Sequence, residues 1–142
     1  MAIKNYTTKV SANRSIAEIQ DSLVKNGAIG MQMMYEKGTG RISALQFVLE
    51  IEEQKVPFSL PIEWRSFQEV LKQNGVSRYK DEDYCYRVAW RCIRDWVLAQ
   101  MALYETQMVE LPQVFLPFAT SKDGGTLYSQ ISSGGFLLGA GE

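Results

Sequence analysis

The sequence predicts an α+β fold in which an antiparallel sheet of three to four strands packs on helices. Three observations support this class: a long amphipathic helix late in the chain, a capped helix near its start, and alternating segments between them. The predicted order of elements is β-α-β-β-β-α-α. A length of 142 residues fits one domain, placed at 1–131, followed by a glycine-rich tail at 132–142 that is expected to be flexible.

The first part of the chain contains one helix between two extended segments. Residues 3–10 are expected to form a short strand or extended arm. Ser15 and Glu18 have the spacing of a capping box, so a helix is expected to begin at Ser15 and to end near Gly27. Residues 29–36 then predict a strand that leads into a glycine-containing turn.

Two further strands complete the predicted sheet. Residues 41–52 carry alternating apolar side chains, which is typical of a strand with one buried face. Glu53 and Gln54 are expected to turn the chain into the strand 55–60, where Pro57 indicates an edge position.

The second half of the chain is predicted to be helical. A helical apolar pattern covers residues 61–73, and the longest helix is expected at 81–107. The predicted buried stripe of that helix consists of Cys85, Val88, Ala89, Cys92, Trp96, Ala99 and Leu103. Residues 111–118 predict a short apolar helix, and residues 126–131 predict one more helical turn.

The chain contains no histidine, which removes the commonest general base and the commonest metal ligand. Cys85 and Cys92 lie seven positions apart, or about 10.5 Å along a helix, which is too far for a disulfide. Two buried thiols in a reducing compartment are expected instead. The composition therefore favours binding over catalysis, and no cofactor and no metal site are predicted.

The formal net charge is -1 and its distribution is uneven. Residues 1–80 carry 11 Lys and Arg against 8 acidic residues, and residues 81–142 carry 4 against 8. This excess of positive charge in the first part is too small to predict nucleic-acid binding by itself. Because no apolar run approaches the ~20 residues of a membrane span, a soluble protein of the cytoplasm with no membrane partner is expected.

The long helix presents a candidate face for an acidic partner, an anion or a base, made of Arg87, Trp90, Arg91 and Arg94. The alternative is a structural role, because Asp83 with Arg87 and Arg91 with Asp95 have the i,i+4 spacing of intrahelical ion pairs.

Two apolar groups are further candidates for a protein interface. One comprises Leu111, Val114, Phe115 and Phe118 in the predicted short helix. These side chains either close the core or form a contact surface. The other comprises Met31, Met33 and Met34, which suit an adaptable surface, although core packing is the favoured interpretation for two of them.

Two enzyme-like or RNA-binding interpretations have weaker support. The order of one helix, three strands and another helix is that of double-stranded RNA-binding domains, but the start of the second helix has one base, Arg65, beside one acid, Glu63. Glu53 and Lys55 have the E-x-K spacing of metal-dependent nucleases. No Asp occurs at 29–52 to help hold a metal ion, so a polar hairpin turn is favoured.

Short blocks of sequence resemble a family of small proteins encoded in bacteriophages and prophages. The blocks are SIAEIQ at 15–20, GA at 27–28, RVAWR at 87–91, MVEL at 108–111 and VFLP at 114–117. The resemblance spans roughly residues 10–131 and implies an accessory protein that works in bacterial cytoplasm. It carries no functional residue over to this chain.

The leading prediction is therefore a non-catalytic accessory protein that binds a host or defence nucleoprotein component and acts as an inhibitor. The first alternative is a nucleic-acid-binding accessory of phage replication or recombination, and the last is a metal-dependent nuclease. The predicted partner is a protein, nucleic acid is the alternative, and homo-oligomers remain open.

Overall fold

The computed structural model describes residues 1–121 and 124–134, and in this part of the chain it confirms the α+β class. Its α-helices and strands are α1 (Ala12–Lys25), β1 (Gly30–Tyr35), β2 (Ile42–Ile51), β3 (Gln54–Pro61), α2 (Trp64–Gln73), α3 (Glu82–Glu105), α4 (Leu111–Phe115) and α5 (Leu127–Gly134). Short 3-10 helices occupy Ser77–Lys80 and Leu116–Phe118.

The chain divides into two compact units. The helical unit contains Met1–Asn26 and Ile62–Thr106, and the sheet unit contains Gly27–Pro61 with the described residues from Gln107 onward. Each unit therefore combines segments that are distant in the sequence.

The strand predicted at residues 3–10 is not formed. The chain makes a turn at residues 4–7, and side chains on α3 hold this turn. The Tyr84 hydroxyl donates a hydrogen bond to the Tyr6 carbonyl, and Asn5 Nδ2 donates to Asp95 Oδ2 at 2.9 Å. A strand needs a hydrogen-bonded neighbour, whereas this segment takes its partners from a helix.

The capping box predicted at Ser15 is also wrong. Helix α1 begins one turn earlier, because the Ser11 hydroxyl caps it by accepting a hydrogen bond from the Arg14 N–H at 3.1 Å. Ser15 is therefore inside the helix, where it is fully buried, and Glu18 is free to contact another element.

In the helical unit, α3 buries different faces along its length. In its first half, Cys85 and Val88 are buried, as predicted, and they pack with residues of α2. Its second half buries Val97 and Met101, while Trp96, which was predicted to be buried, is 37% exposed. A long helix that meets different neighbours cannot keep one buried stripe, and a uniform apolar period therefore misplaces the second half.

In the sheet unit, the three strands are antiparallel in the order β1-β2-β3. Phe47 of β2 stacks on Phe58 of β3 with ring centroids 5.3 Å apart, and Phe115 of α4 meets Phe47 edge-on at 5.1 Å. Helix α4 thus covers one face of the sheet and supplies an aromatic side chain to its core.

The turn between β2 and β3 differs by one residue from the prediction. It contains Glu52 and Glu53, at φ of 50° and 68°, and Gln54 already belongs to β3. Two consecutive positive φ values are the mark of the tight hairpin turn that matches the twist of the strands.

The two edges of the sheet differ in whether another segment of the chain pairs with them. On the outer side of β3, Phe58 forms a bridge with Ala119, and the Thr120 N–H donates to the Pro57 carbonyl at 2.9 Å. On the outer side of β1, no described segment forms a bridge. Of the tail predicted at 132–142, residues 132–134 lie in α5, and residues 135–142 lie outside the described part of the chain.

Candidate protein interface

The predicted arginine face is largely engaged within the protein. Arg91 Nη1 lies 3.0 Å from Glu18 Oε2, and Arg94 Nε lies 2.6 Å from the same oxygen. Arg94 Nη1 also lies 3.0 Å from Asp95 Oδ1. These four residues, which we call the α1–α3 ion cluster, join two helices of the helical unit.

The carboxylates of this cluster remain charged at neutral pH. Burial alone would raise the pKa of Glu18, but hydrogen bonds and positive charge from Arg94 and Arg91 outweigh it and lower this pKa. Burial also opposes the charge on Asp95, whose pKa is lowered by hydrogen bonds from Asn5 and Arg94. The guanidinium groups of Arg91 and Arg94 thus face two carboxylates inside the cluster, and Glu18 Oε1 also lies 3.4 Å from Arg14 Nε.

The other two residues of the predicted face lie elsewhere. The Trp90 side chain is fully buried, edge-on to Tyr86, and its Nε1 makes no hydrogen bond to any described residue. Trp90 therefore contributes to the core, which corrects its assignment to a binding surface. Arg87 is partly exposed, and its guanidinium carbon lies 5.9 Å from the ring centroid of Tyr84.

The predicted apolar segment is split between core and surface. Leu111 and Phe115 are buried, so their assignment to a contact surface is corrected, while Val114 and Phe118 are partly buried. The alternation follows from the helix, because α4 turns one side toward the sheet. Leu116, which was not among the candidates, is 50% exposed.

The residues of the nuclease interpretation lie at the hairpin. Glu53 occupies the tight turn with an exposed side chain, and Lys55 pairs with Glu50 in the β2–β3 register. In the described part of the chain, no three His, Cys, Asp or Glu side chains are grouped as metal ligands.

The most exposed apolar edge of the sheet is β1, which none of the sequence candidates fully anticipated. We define the β1 edge as the outer side of Gly30–Tyr35 together with the preceding Ile29. Ile29 is 53% exposed, Met34 is 42% exposed and Tyr35 is 61% exposed. The strand GMQMMY contains no charged residue and no proline, the usual devices that keep an edge strand from pairing with other chains.

The three methionines are divided along this strand. Met31 and Met33 are partly buried, whereas Met34 is exposed. A separate groove of about 270 Å³ is lined by residues of all three strands and by Thr120, so it is not confined to the β1 edge. The sequence shows that this strand lacks charged residues. It does not show that the strand lies at an edge, because the edge position depends on which strands pair with each other.

No helix in the described residues is long and apolar enough to cross a membrane. Comparisons with protein-family models, with curated proteins and with solved structures find no match to this chain.

Proposed function

We propose that this chain is a non-catalytic binding protein whose partner is a protein segment that adds a strand to the β1 edge. The observation that supports this proposal is an uncharged edge strand, open along its outer side in the described residues and flanked by exposed apolar side chains. Main-chain hydrogen bonds give affinity in this mode of recognition, and alternate side chains give specificity.

The sequence resemblance supplies the proposed setting. A phage-type accessory protein would meet its partner in bacterial cytoplasm, and a host or defence nucleoprotein component remains the partner class that we propose. Occupying an edge or segment of such a component would inhibit it without chemistry.

The experiment is capture of partners from nuclease-treated bacterial lysate, read by mass spectrometry, with three baits. Gln32→Lys places a charge in the middle of the β1 edge. Gln46→Lys is the matched control, because Gln46 lies directly opposite Gln32 on β2 and leaves the edge uncharged. We expect a protein partner that the wild type and Gln46→Lys retain and that Gln32→Lys loses. Equal capture by all three baits would reject the β1 edge as the binding surface.

A second candidate function, nucleic-acid binding, has one observation in its favour. Lys72 Nζ and Lys80 Nζ lie 6.0 Å and 5.8 Å from the ring centroid of Tyr79, which combines positive charge with an aromatic ring. It predicts binding of a single-stranded oligonucleotide that weakens steeply with salt and is lost when both lysines are changed to alanine. Salt-independent or absent binding in a fluorescence anisotropy titration would reject it.

A further inference from the structure

We propose that, when no other partner is bound, the β1 edge is occupied by β1 of a second copy of this chain, so that two sheets join into one antiparallel sheet of six strands. The inference rests on the proposed function, since both use the same edge. An identical partner suits this strand because Gly30–Tyr35 is uncharged. Two copies therefore meet without placing like charges opposite each other, which would destabilise the pair.

The side chains select one register for this pairing. Side chains that lie directly opposite each other in an antiparallel pair point to the same face of the sheet. The two-fold axis must therefore pass midway between one residue and the same residue of the second copy. An axis at Gln32 places Met31 opposite Met33 of the second copy, and Ile29 opposite Tyr35 of the second copy. The two most exposed apolar side chains of the edge then cover each other twice, in pairs of a β-branched and an aromatic residue, a combination that stabilises sheets.

The other edge explains why such an assembly stops at two copies. A two-fold contact uses the same surface on both partners and closes on itself. Growth would then require a second open edge, but Ala119 and Thr120 cover part of the outer side of β3. The joined sheet thus presents the two covered β3 strands at its ends.

The first test is the molar mass of the full chain in solution, measured by light scattering after size-exclusion chromatography over a range of concentrations. We expect a dimer for the wild type and for Gln46→Lys. Gln32→Lys places two ammonium groups opposite each other at the axis, and we expect it to raise the dimer dissociation constant about tenfold or more. A wild type that is monomeric at every concentration, or a Gln32→Lys variant as dimeric as Gln46→Lys, would overturn the proposal.

A second test addresses the register. Ile29→Lys alone removes one apolar pair member on each side of the axis, so we expect it to weaken the dimer. Combining it with Tyr35→Glu in the same chain places opposite charges across the axis and is expected to restore much of the dimer. Weakening that is simply additive in the double variant would overturn the Gln32-centred register.

Failure of this inference can be told apart from failure of the proposed function, because self-association and capture are measured separately. A monomeric wild type whose lysate partner is lost in Gln32→Lys overturns the dimer and supports the proposed function. A dimer that Gln32→Lys disrupts, with lysate capture unaffected, supports the second copy as the occupant of the edge and overturns a different partner there.

Discussion

The Glu18 side chain connects helix α1 to helix α3. Its carboxylate accepts hydrogen bonds from Arg91 and Arg94, so a single acidic residue on α1 holds two basic residues of α3. Charge-assisted hydrogen bonds of this kind are stronger than those between neutral groups, and losing one partner leaves the other charges partly buried and unbalanced.

We therefore expect Glu18→Gln to lower the free energy of unfolding by about 1–3 kcal/mol at neutral pH. Asp21→Asn on the same helix is the control, because Asp21 is exposed and is expected to change stability little. Urea denaturation of the two variants and the wild type measures the difference. Equal midpoints for Glu18→Gln and Asp21→Asn would contradict a stabilising role for the cluster.

The lowered pKa of Glu18 adds a prediction about pH. A carboxyl group whose pKa is lower in the folded state stabilises the fold above its unfolded pKa, roughly 4.3 for Glu, and this stabilisation is lost as the pH falls through the folded pKa. The stability difference between wild type and Glu18→Gln should therefore be largest near neutral pH and shrink in acid. A difference that is constant from neutral to acidic pH would contradict this account.

Among the elements, the β2–β3 hairpin carries visible backbone strain. Glu52 and Glu53 both adopt positive φ, which costs a residue with a side chain more than it costs glycine or asparagine. The turn persists because the strands on both sides are paired in continuous register from Ile51 and Gln54 outward.

Replacing this turn by the preferred pair, Glu52→Asn with Glu53→Gly, is expected to stabilise the chain by about 1 kcal/mol. Glu53→Gln is the control, since it removes a charge without relieving the backbone, and thermal unfolding compares the variants. If the double variant is stabilised no more than Glu53→Gln, charge and not backbone strain governs the stability of the turn.

The Glu53→Gln variant also tests the nuclease interpretation. That interpretation requires Glu53→Gln to abolish cleavage that depends on Mg²⁺ or Mn²⁺.

Elements whose signals are local could be predicted from the sequence, whereas features that depend on contacts between distant residues could not. Helix α3 and strand β2 were predicted because their signals are local: an apolar period in the helix and alternating apolar side chains in the strand. The start of α1 was misjudged because Ser11 and Ser15 are both competent caps, and the long-range contact of Glu18 with α3 accompanies the earlier start. Trp90 is buried although it lies outside the apolar period that predicted the buried stripe of α3.

At the scale of the whole molecule, assembly of copies of the chain depends on which edges of the sheet are open to pairing. The proposed dimer uses the β1 edge, and growth beyond it is limited by the cover that Ala119 and Thr120 place on β3. The cover depends partly on one backbone hydrogen bond, from the Thr120 N–H to the Pro57 carbonyl, and a second bond from the Thr120 hydroxyl reaches the same carbonyl at 3.2 Å.

Thr120→Pro should therefore convert a closed assembly into an open-ended one. Proline has no N–H, so the backbone bond to Pro57 is lost and both edges of the sheet become available for pairing. Thr120→Val is the matched control, because it removes the hydroxyl and keeps the N–H. We expect Thr120→Pro to form species larger than a dimer, increasing with concentration in sedimentation velocity, while Thr120→Val sediments like the wild type. Adding Gln32→Lys to Thr120→Pro should suppress this growth, since one of the two edges is then blocked, and growth that persists in the double variant would show that β1 takes no part in it.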